Sequence, residues 1–139
     1  MKRYVIDANA LISFVTDRNP RLQQKIAPLF ESAAQLKAAI LYHQHVLTEF
    51  IYVMDRVYGV PKDKINSMVT DLMEMPGMEI IQEIDFISVL SCWPNTIHDF
   101  GDAVIASVGI SRRSASIVTF DRKFANKLEL LGLKIHSFE

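Results

Sequence analysis

The sequence predicts an α/β domain of three layers, in which helices cover both faces of a mostly parallel β-sheet. Short apolar runs alternate along the chain with longer segments whose apolar residues recur at helical spacing. Glycine and proline separate these segments, as at Gly59, Pro61 and Gly132. Parallel strands joined by helices are buried on both faces and read as continuous apolar runs, which is the pattern here.

The first apolar run, RYVI at residues 3–6, predicts a short buried strand. Four more strands are predicted at residues 38–42, 78–83, 115–120 and 134–138. Helices are predicted at residues 10–15, 22–36, 46–59, 61–75, 84–93, 99–113 and 121–132. The helix at 22–36 has an amphipathic face, and Pro61 suits the first turn of the helix that it opens. The chain therefore reads as successive βα units.

Length and composition fit one folded domain that spans residues 1–139, with 50% hydrophobic content. No apolar run reaches the roughly 18 residues that a membrane-spanning helix needs, so no membrane association is expected. The single cysteine, Cys92, excludes an internal disulfide and a multi-cysteine zinc site, and it favours a reducing, cytoplasmic location. The net charge of −1 neither favours nor excludes a nucleic-acid partner.

Two predicted strands end at an aspartate, although burying an uncompensated carboxylate is costly. Asp7 follows the first strand and precedes ANALISF, and Asp121 follows SIVTF and opens DRKFANKL. Either aspartate could cap the following helix by accepting a hydrogen bond from its first turn. Thr119 could share that role with Asp121.

Two further acids interrupt apolar helical segments. Glu49 lies in VLTEFIYVM, where the polar face of the helix is narrow, and it could equally be an ordinary exposed charge. Asp102 begins the small, apolar part of HDFGDAVIASVGI, and Asp99 lies three residues earlier on the same face. The helix dipole favours one acid at a helix N-terminus, whereas two acids close together repel each other.

The topology of α/β sheets suggests one explanation for these four acids. Ligands bind beyond the carboxyl ends of the strands, at the point where the strand order switches. If the first and fourth strands were neighbours, Asp7 and Asp121 would lie side by side there. Glu49 and Asp102 could then complete a ring. Clustered carboxylates need a counter-charge, and oxygen ligands favour Mg²⁺ or Mn²⁺.

The remaining polar and aromatic residues give weaker signals. His43 and His45 alternate like a strand edge and are expected to face solvent, so zinc is not indicated. Residues that could contact phosphates, although solvated surface charge is the commoner role, are Arg112, Arg113, Arg122, Lys123 and Lys127. Trp93 and Phe100 are expected to pack in the core rather than to stack on bases.

Taken in order, these motifs resemble the PIN domain family, and in particular its small VapC-like toxin ribonucleases. YVIDANALI resembles the family's opening strand and first acid, and LTEFIYVM resembles the segment with its helix-borne glutamate. DFGDAVIAS is similar to the family's segment with an acid directly before alanine, and IVTFDRKF is similar to its closing T-x-D-x-x-F. The resemblance covers the entire chain.

This resemblance implies a five-stranded sheet in the order 3-2-1-4-5, with the first and fourth strands adjacent. It implies that the metal-binding and catalytic acids are Asp7, Glu49, Asp102 and Asp121, and that Asp99, Asn9 and Thr119 support them. The implied activity is Mg²⁺- or Mn²⁺-dependent endonucleolytic cleavage of RNA. Toxin members of the family are usually homodimers restrained by a small antitoxin protein.

Alternative functions fit the sequence less well. A phosphotransfer enzyme of the haloacid dehalogenase type needs a second aspartate where this chain has Asn9, and a receiver domain needs adjacent acids after its first strand. No Ser, Cys or His is placed as an activated nucleophile, so the expected attacking group is a metal-activated water. The main alternative is a PIN-like module that binds RNA or protein without cutting. Missing acids would mark such a module, and all four are present.

Overall fold

The computed structural model describes residues 1–138 and confirms the predicted α/β architecture. Five parallel strands form one sheet in the order β3-β2-β1-β4-β5. The strands are β1 (Lys2–Ile6), β2 (Ala38–His43), β3 (Met78–Ile81), β4 (Ser116–Val118) and β5 (Lys134–Ile135). The helices are α1 (Ala8–Val15), α2 (Pro20–Ala34), α3 (Gln44–Tyr52), α4 (Lys62–Glu74), α5 (Phe86–Cys92), α6 (Phe100–Ser111) and α7 (Arg122–Leu130). Right-handed crossovers distribute these helices over the two faces.

The strand order switches between β1 and β4, which is where the sequence predicted a site. The chain moves outward from β1 through β2 to β3, then crosses back to β4 on the other side of β1. Ile6 pairs with Val118, and the Asp7 N–H donates to the Val118 carbonyl at 3.3 Å. The carboxyl ends of the two strands are therefore joined directly.

The core explains why the central strands are continuous apolar runs. Residues 4–6 of β1 and all of β2 are buried, whereas the edge strands β3 and β5 are shorter and partly exposed. Helix α6 is buried from Ala103 to Gly109. A Cβ on Gly109 would lie 2.7 Å from Ile117 Cδ1, so the glycine lets α6 approach β4 closely. This packing fixes the first turn of α6 relative to the sheet.

Most predicted elements differ from the observed ones by a few residues at their ends, and three of these differences affect the structure beyond the ends themselves. The helix predicted at 46–59 ends at Tyr52 and continues as a π-helical turn over Val53–Val57, where the Tyr58 N–H donates to the Val53 carbonyl at 3.0 Å. The strand predicted at 115–120 pairs only over Ser116–Val118. The strand predicted at 134–138 pairs only over Lys134–Ile135, because Phe138 turns back to stack on Phe120 with ring centroids 4.6 Å apart.

No helix among residues 1–138 combines the length and the apolar character needed to cross a membrane.

Candidate active site

Asp7 lies at the carboxyl end of β1 and is only 6% exposed. Its Oδ1 accepts a hydrogen bond from the Ala10 N–H at 2.8 Å and so caps α1. Burial raises the pKa of Asp7 to about 6, hydrogen bonds from Thr119 and Ala10 oppose that rise, and the negative charges of Asp121 and Glu49 add to it. The protein itself therefore compensates the charge of Asp7 only in part.

Asp121 occupies the corresponding position after β4, but it is exposed. Its Oδ1 accepts a hydrogen bond from the Phe124 N–H at 3.1 Å and caps α7. Its own N–H donates to the hydroxyl of Thr119 at 3.1 Å. Thr119 is buried and also hydrogen-bonds Asp7, so one side chain links the two strand ends. The capping role predicted for both aspartates is thus confirmed, and it leaves one carboxylate oxygen of each aspartate outside the cap.

Asp102 lies half-buried in the first turn of α6. Asp99 is the N-cap of this helix, and its Oδ1 accepts the Asp102 N–H at 2.9 Å. Burial raises the pKa of Asp102 to about 6, with further contributions from the negative charges of Asp99, Asp7, Asp121 and Glu49. All of the predicted acids thus act on Asp102.

Glu49 lies on α3 and is exposed. Its negative charge nevertheless raises the pKa of both Asp7 and Asp102, so Glu49 lies within electrostatic range of both acids.

The negative charges of Asp7, Asp121 and Glu49 all raise the pKa of Asp102, but the four acids do not form a ready-made cation site. Among residues 1–138, no three His, Cys, Asp or Glu side chains have the spacing needed to hold a metal ion. The chemistry of the donors nevertheless fits a hard divalent cation, because all four offer carboxylate oxygens and two have raised pKa values that a counter-charge would relieve. The assignment of these acids as metal ligands stays a prediction.

The prediction that His43 faces solvent is wrong. Strand β2 runs one residue further than predicted, so His43 is only 1% exposed. Its Nδ1 accepts the His45 N–H at 2.9 Å and caps α3, while its Nε2 lies 2.8 Å from the Glu83 carbonyl. Burial lowers the pKa of His43, which favours a neutral ring with its proton on Nε2. This histidine therefore serves the fold.

His45 lies near the acids and was not recognised from the sequence. A Cβ on Gly101 would lie 2.6 Å from His45 Nε2 and 3.2 Å from Asp99 Oδ1. The imidazole therefore packs against the first turn of α6, and a side chain at position 101 would displace it. The signal for this contact was the position of His45 directly after β2, at the same edge of the sheet as the acids.

The basic candidates divide between the amino ends and the carboxyl ends of the strands. Arg112 and Arg113 follow α6 and lead into the amino end of β4, opposite the acids, so a phosphate contact there is not supported. Arg122 lines a groove together with Asp121. Trp93 and Phe100 pack edge to face with ring centroids 5.3 Å apart. Trp93 packs against the core as predicted, whereas the prediction of core packing is wrong for Phe100, which is 36% exposed.

Asn9, predicted as a supporting residue, is exposed and lines a cleft together with Asp121.

A parallel α/β sheet in this order, with acids at the switch between β1 and β4, defines a particular class of domain. The sequence model of the PIN domain matches residues 4–129, and the chain therefore belongs to the PIN domain family. The resemblance inferred from four short motifs is thus confirmed. The sequence has no significant match among curated proteins.

Solved structures of VapC-type proteins have the same fold. VapBC2 from Rickettsia felis, bound to a DNA fragment from its promoter, gives a TM-score of 0.71 at 18% identity, covering 96% of this chain and 97% of that chain. VapC20 from Mycobacterium tuberculosis, a sarcin–ricin loop cleaving toxin, gives 0.66 at 14% identity, covering 88% and 93%. FitAcB from Neisseria gonorrhoeae gives 0.61 at 12% identity, covering 97% of both chains. At these identities the likeness establishes the fold.

Proposed function

We propose that this protein is a metal-dependent endoribonuclease that hydrolyses RNA phosphodiester bonds and acts as the toxin of a toxin–antitoxin pair. One observation carries the proposal. The negative charges of Asp7, Asp121 and Glu49 raise the pKa of Asp102 at the switch point of a PIN-type sheet, and Asp7 and Asp102, the buried and half-buried acids, have pKa values raised to about 6. Beyond the helix caps, such a cluster of like charges does not stabilise the fold, whereas a bound cation would relieve the repulsion.

The proposed role of each acid follows from how the protein holds its side chain. Asp7 is held by its cap to Ala10 and by Thr119, so its carboxylate is positioned before any cation binds. Asp7 and Asp102 are the proposed direct ligands of Mg²⁺ or Mn²⁺. The bound cation would supply counter-charge and lower the pKa of a coordinated water.

The two exposed acids take the roles that need access to substrate. Glu49, on α3, would orient the attacking water or complete the ligand set. Asp121, which lines a groove, would hold the cation directly or through water. In-line attack by water on the phosphodiester then needs no covalent intermediate with the protein.

The choice of RNA as substrate rests on family and fold. PIN-family membership supports a nuclease, and VapC20, one of the structures with this fold, is described as a toxin that cleaves the sarcin–ricin loop. The same comparison supports a toxin role for this chain, and the VapBC2 structure supports a small antitoxin protein as its partner. We further propose a homodimer as the working form.

The activity is tested on a panel of labelled RNAs with Mg²⁺, Mn²⁺ or EDTA. Wild-type protein is expected to cut at least one RNA with either metal and none with EDTA. Asp7→Asn and Asp102→Asn should be inactive. Asp71→Asn is the matched control, because Asp71 is an exposed acid on the outer helix α4. Metal-independent binding without cleavage would instead favour a non-cleaving RNA-binding module.

The toxin role needs a separate test in cells. Expression of the wild-type gene should arrest growth, Asp7→Asn should not, and co-expression of the small protein encoded beside it should restore growth. Harmless overexpression of a protein that cuts RNA in vitro would overturn the toxin role alone.

A further inference from the structure

Three connected depressions extend from the acidic site along the surface. A cleft of about 370 Å³ next to Asp121 contains Asn9 and Arg18. It shares Thr16 and Arg18 with a cleft of about 630 Å³ that extends to Lys64. On its other side it shares Phe120 and Asp121 with a groove of about 610 Å³. Of the four acids, Asp121 lines this path, at the point where the cleft and the groove meet.

Arg18 lies where the first two clefts meet, and Tyr58 fixes its orientation. The guanidinium carbon of Arg18 is 3.4 Å from the centroid of the Tyr58 ring, so the planar cation is stacked on the aromatic face. Among residues 1–138, no carboxylate lies within ion-pair distance of Arg18. The stack leaves the N–H groups at the guanidinium edge able to donate to a ligand in the cleft.

The local backbone explains how Tyr58 comes to face Arg18. A regular helix continuing from α3 would carry the chain past this position, but the π-helical turn Val53–Val57 widens the last turn before Tyr58. Gly59 follows with a φ of +61°, a conformation that favours glycine, and the chain reverses there. A π-helical turn inside a helix often marks a functional position.

Basic side chains outnumber acidic ones along both arms of the path. Arg18 and Lys64 line one arm, together with Asp17. Arg21, Lys25 and Arg122 line the other, together with Asp121 and Glu129. Such an arrangement holds a polyanion across a cation site with a phosphate contact on each side of the reacting bond.

We propose that Arg18, held flat by Tyr58, binds a backbone phosphate of single-stranded RNA one or more nucleotides from the bond that is cut. This inference rests on the proposed function, because it assigns the path to the same substrate. Tyr58 is a positioning residue that acts through Arg18. Phe120, half-buried beside Asp121, provides an aromatic edge to the same path, which suits an unpaired strand better than a duplex.

Binding is measured by fluorescence anisotropy with a short labelled single-stranded RNA of mixed sequence, across a series of KCl concentrations. The protein carries Asp7→Asn so that the RNA stays intact. Arg18→Ala should weaken binding roughly tenfold and should reduce the slope of log affinity against log salt by about 0.7, the value for one lost phosphate contact on a single strand. Arg113→Ala removes the same charge at the opposite edge of the sheet and should change neither quantity.

The role of Tyr58 has its own matched pair. Tyr58→Phe keeps the aromatic face and should bind RNA like the parent protein, whereas Tyr58→Leu should weaken binding and lower the salt slope as Arg18→Ala does. Arg18→Lys keeps the charge without the planar group, and it should retain the salt slope while binding less tightly. If Tyr58→Leu binds like Tyr58→Phe, the positioning role is refuted.

Failure of this inference and failure of the proposed function give different results. Equal effects of Arg18→Ala and Arg113→Ala, in a protein whose wild type cuts the RNA, would overturn the inference alone. Arg18-dependent binding to an RNA that wild-type protein never cuts with Mg²⁺ or Mn²⁺ would overturn the catalytic proposal and leave the binding path standing. Tighter binding to a duplex of the same sequence would refute the single-strand assignment.

Discussion

Asp7 and Asp121 have the same local structure and different surroundings. Each follows a buried strand, accepts a hydrogen bond from the third residue after it and begins a helix. Asp7 follows the central strand β1, with β2 and β4 on either side, and is buried. Asp121 follows β4, whose outer neighbour β5 is only two residues long, and is exposed beside a groove. The sequence motif thus determines the cap, and the position in the sheet determines the electrostatic environment.

The difference assigns the two aspartates separate parts in the proposed reaction. A buried carboxylate with a raised pKa gains the most from a cation, because no water is available to solvate it. An exposed carboxylate can be replaced by water with less loss. The same substitution made at position 7 and at position 121 should therefore have different effects.

The largest expected difference is in RNA cleavage. Asp7→Asn should lower the cleavage rate by roughly three orders of magnitude or more, because it removes one member of a unit that functions only as a whole. Asp121→Asn should lower the rate by only about 10- to 100-fold, since water can take the place of an exposed ligand. Initial rates under identical metal concentrations provide the measurement.

Asp102→Asn extends this test. It should resemble Asp7→Asn, and the double variant should be scarcely worse than either single one. Asp121→Asn losing as much activity as Asp7→Asn would remove the distinction between the buried and the exposed position.

A smaller difference is expected in the pH dependence of stability without metal. Burial raises the pKa of Asp7 from 3.8 to about 6, so the folded state holds its proton more tightly than the unfolded state. The stability that this proton contributes is fully present below about pH 4 and is lost as pH rises through about 6. The loss amounts to at most about 3 kcal/mol for a shift of this size. Urea unfolding in EDTA between pH 4 and pH 7 measures it.

Two variants separate Asp7 from other titrating groups. Asp7→Asn should become more stable relative to wild type as pH rises, while Asp121→Asn keeps Asp7 and should retain most of the wild-type pH dependence. Parallel curves for wild type and Asp7→Asn would mean that the carboxyl group of Asp7 is not destabilised in the folded protein.

Sequence reasoning reached the fold because it depends on local pattern, and the same pattern singled out four acids whose role as metal ligands stays a prediction. Strand–aspartate–helix units at residues 3–15 and 115–132 are visible in one dimension, and the family resemblance supplied the strand order. The bounds of the strands were less accurate, since β4 ends where Thr119 turns its hydroxyl to the Asp121 N–H. That contact depends on tertiary structure and leaves no local signature.

Residues whose roles depend on distant partners could not be read from the sequence. His43 was taken for an exposed residue because its burial depends on the Glu83 carbonyl, 40 positions later. Arg18 and Tyr58 meet only because a π-helical turn interrupts what reads as one continuous helix. Helical periodicity does not predict a π-helical turn, and Arg18 is far from Tyr58 in the sequence.

The smallest expected difference concerns the caps themselves. Asp121→Ala should have a free energy of unfolding about 1 kcal/mol lower than that of Asp121→Asn, the usual value of a side-chain cap, because Asn caps about as well as Asp. The difference between Asp7→Ala and Asp7→Asn should be up to about 2 kcal/mol larger, since the side chain at position 7 also bonds Thr119 in a buried site. Thermal or urea unfolding of the four variants gives both values, and equal costs at the two positions would argue against the Thr119 link.

The central claim, that Asp7 binds a divalent cation as well as capping α1, is tested most directly by Mn²⁺-induced thermal stabilisation of wild type and Asp7→Asn. Without metal, Asp7→Asn should melt at the same temperature as wild type or higher at pH 7, because the cap is kept and the buried charge is gone. With Mn²⁺, the melting temperature of wild type should rise with concentration as expected for a ligand of the native state, and that of Asp7→Asn should barely change. An undiminished Mn²⁺ shift in a folded Asp7→Asn protein would contradict the claim and leave Asp7 as a helix cap alone.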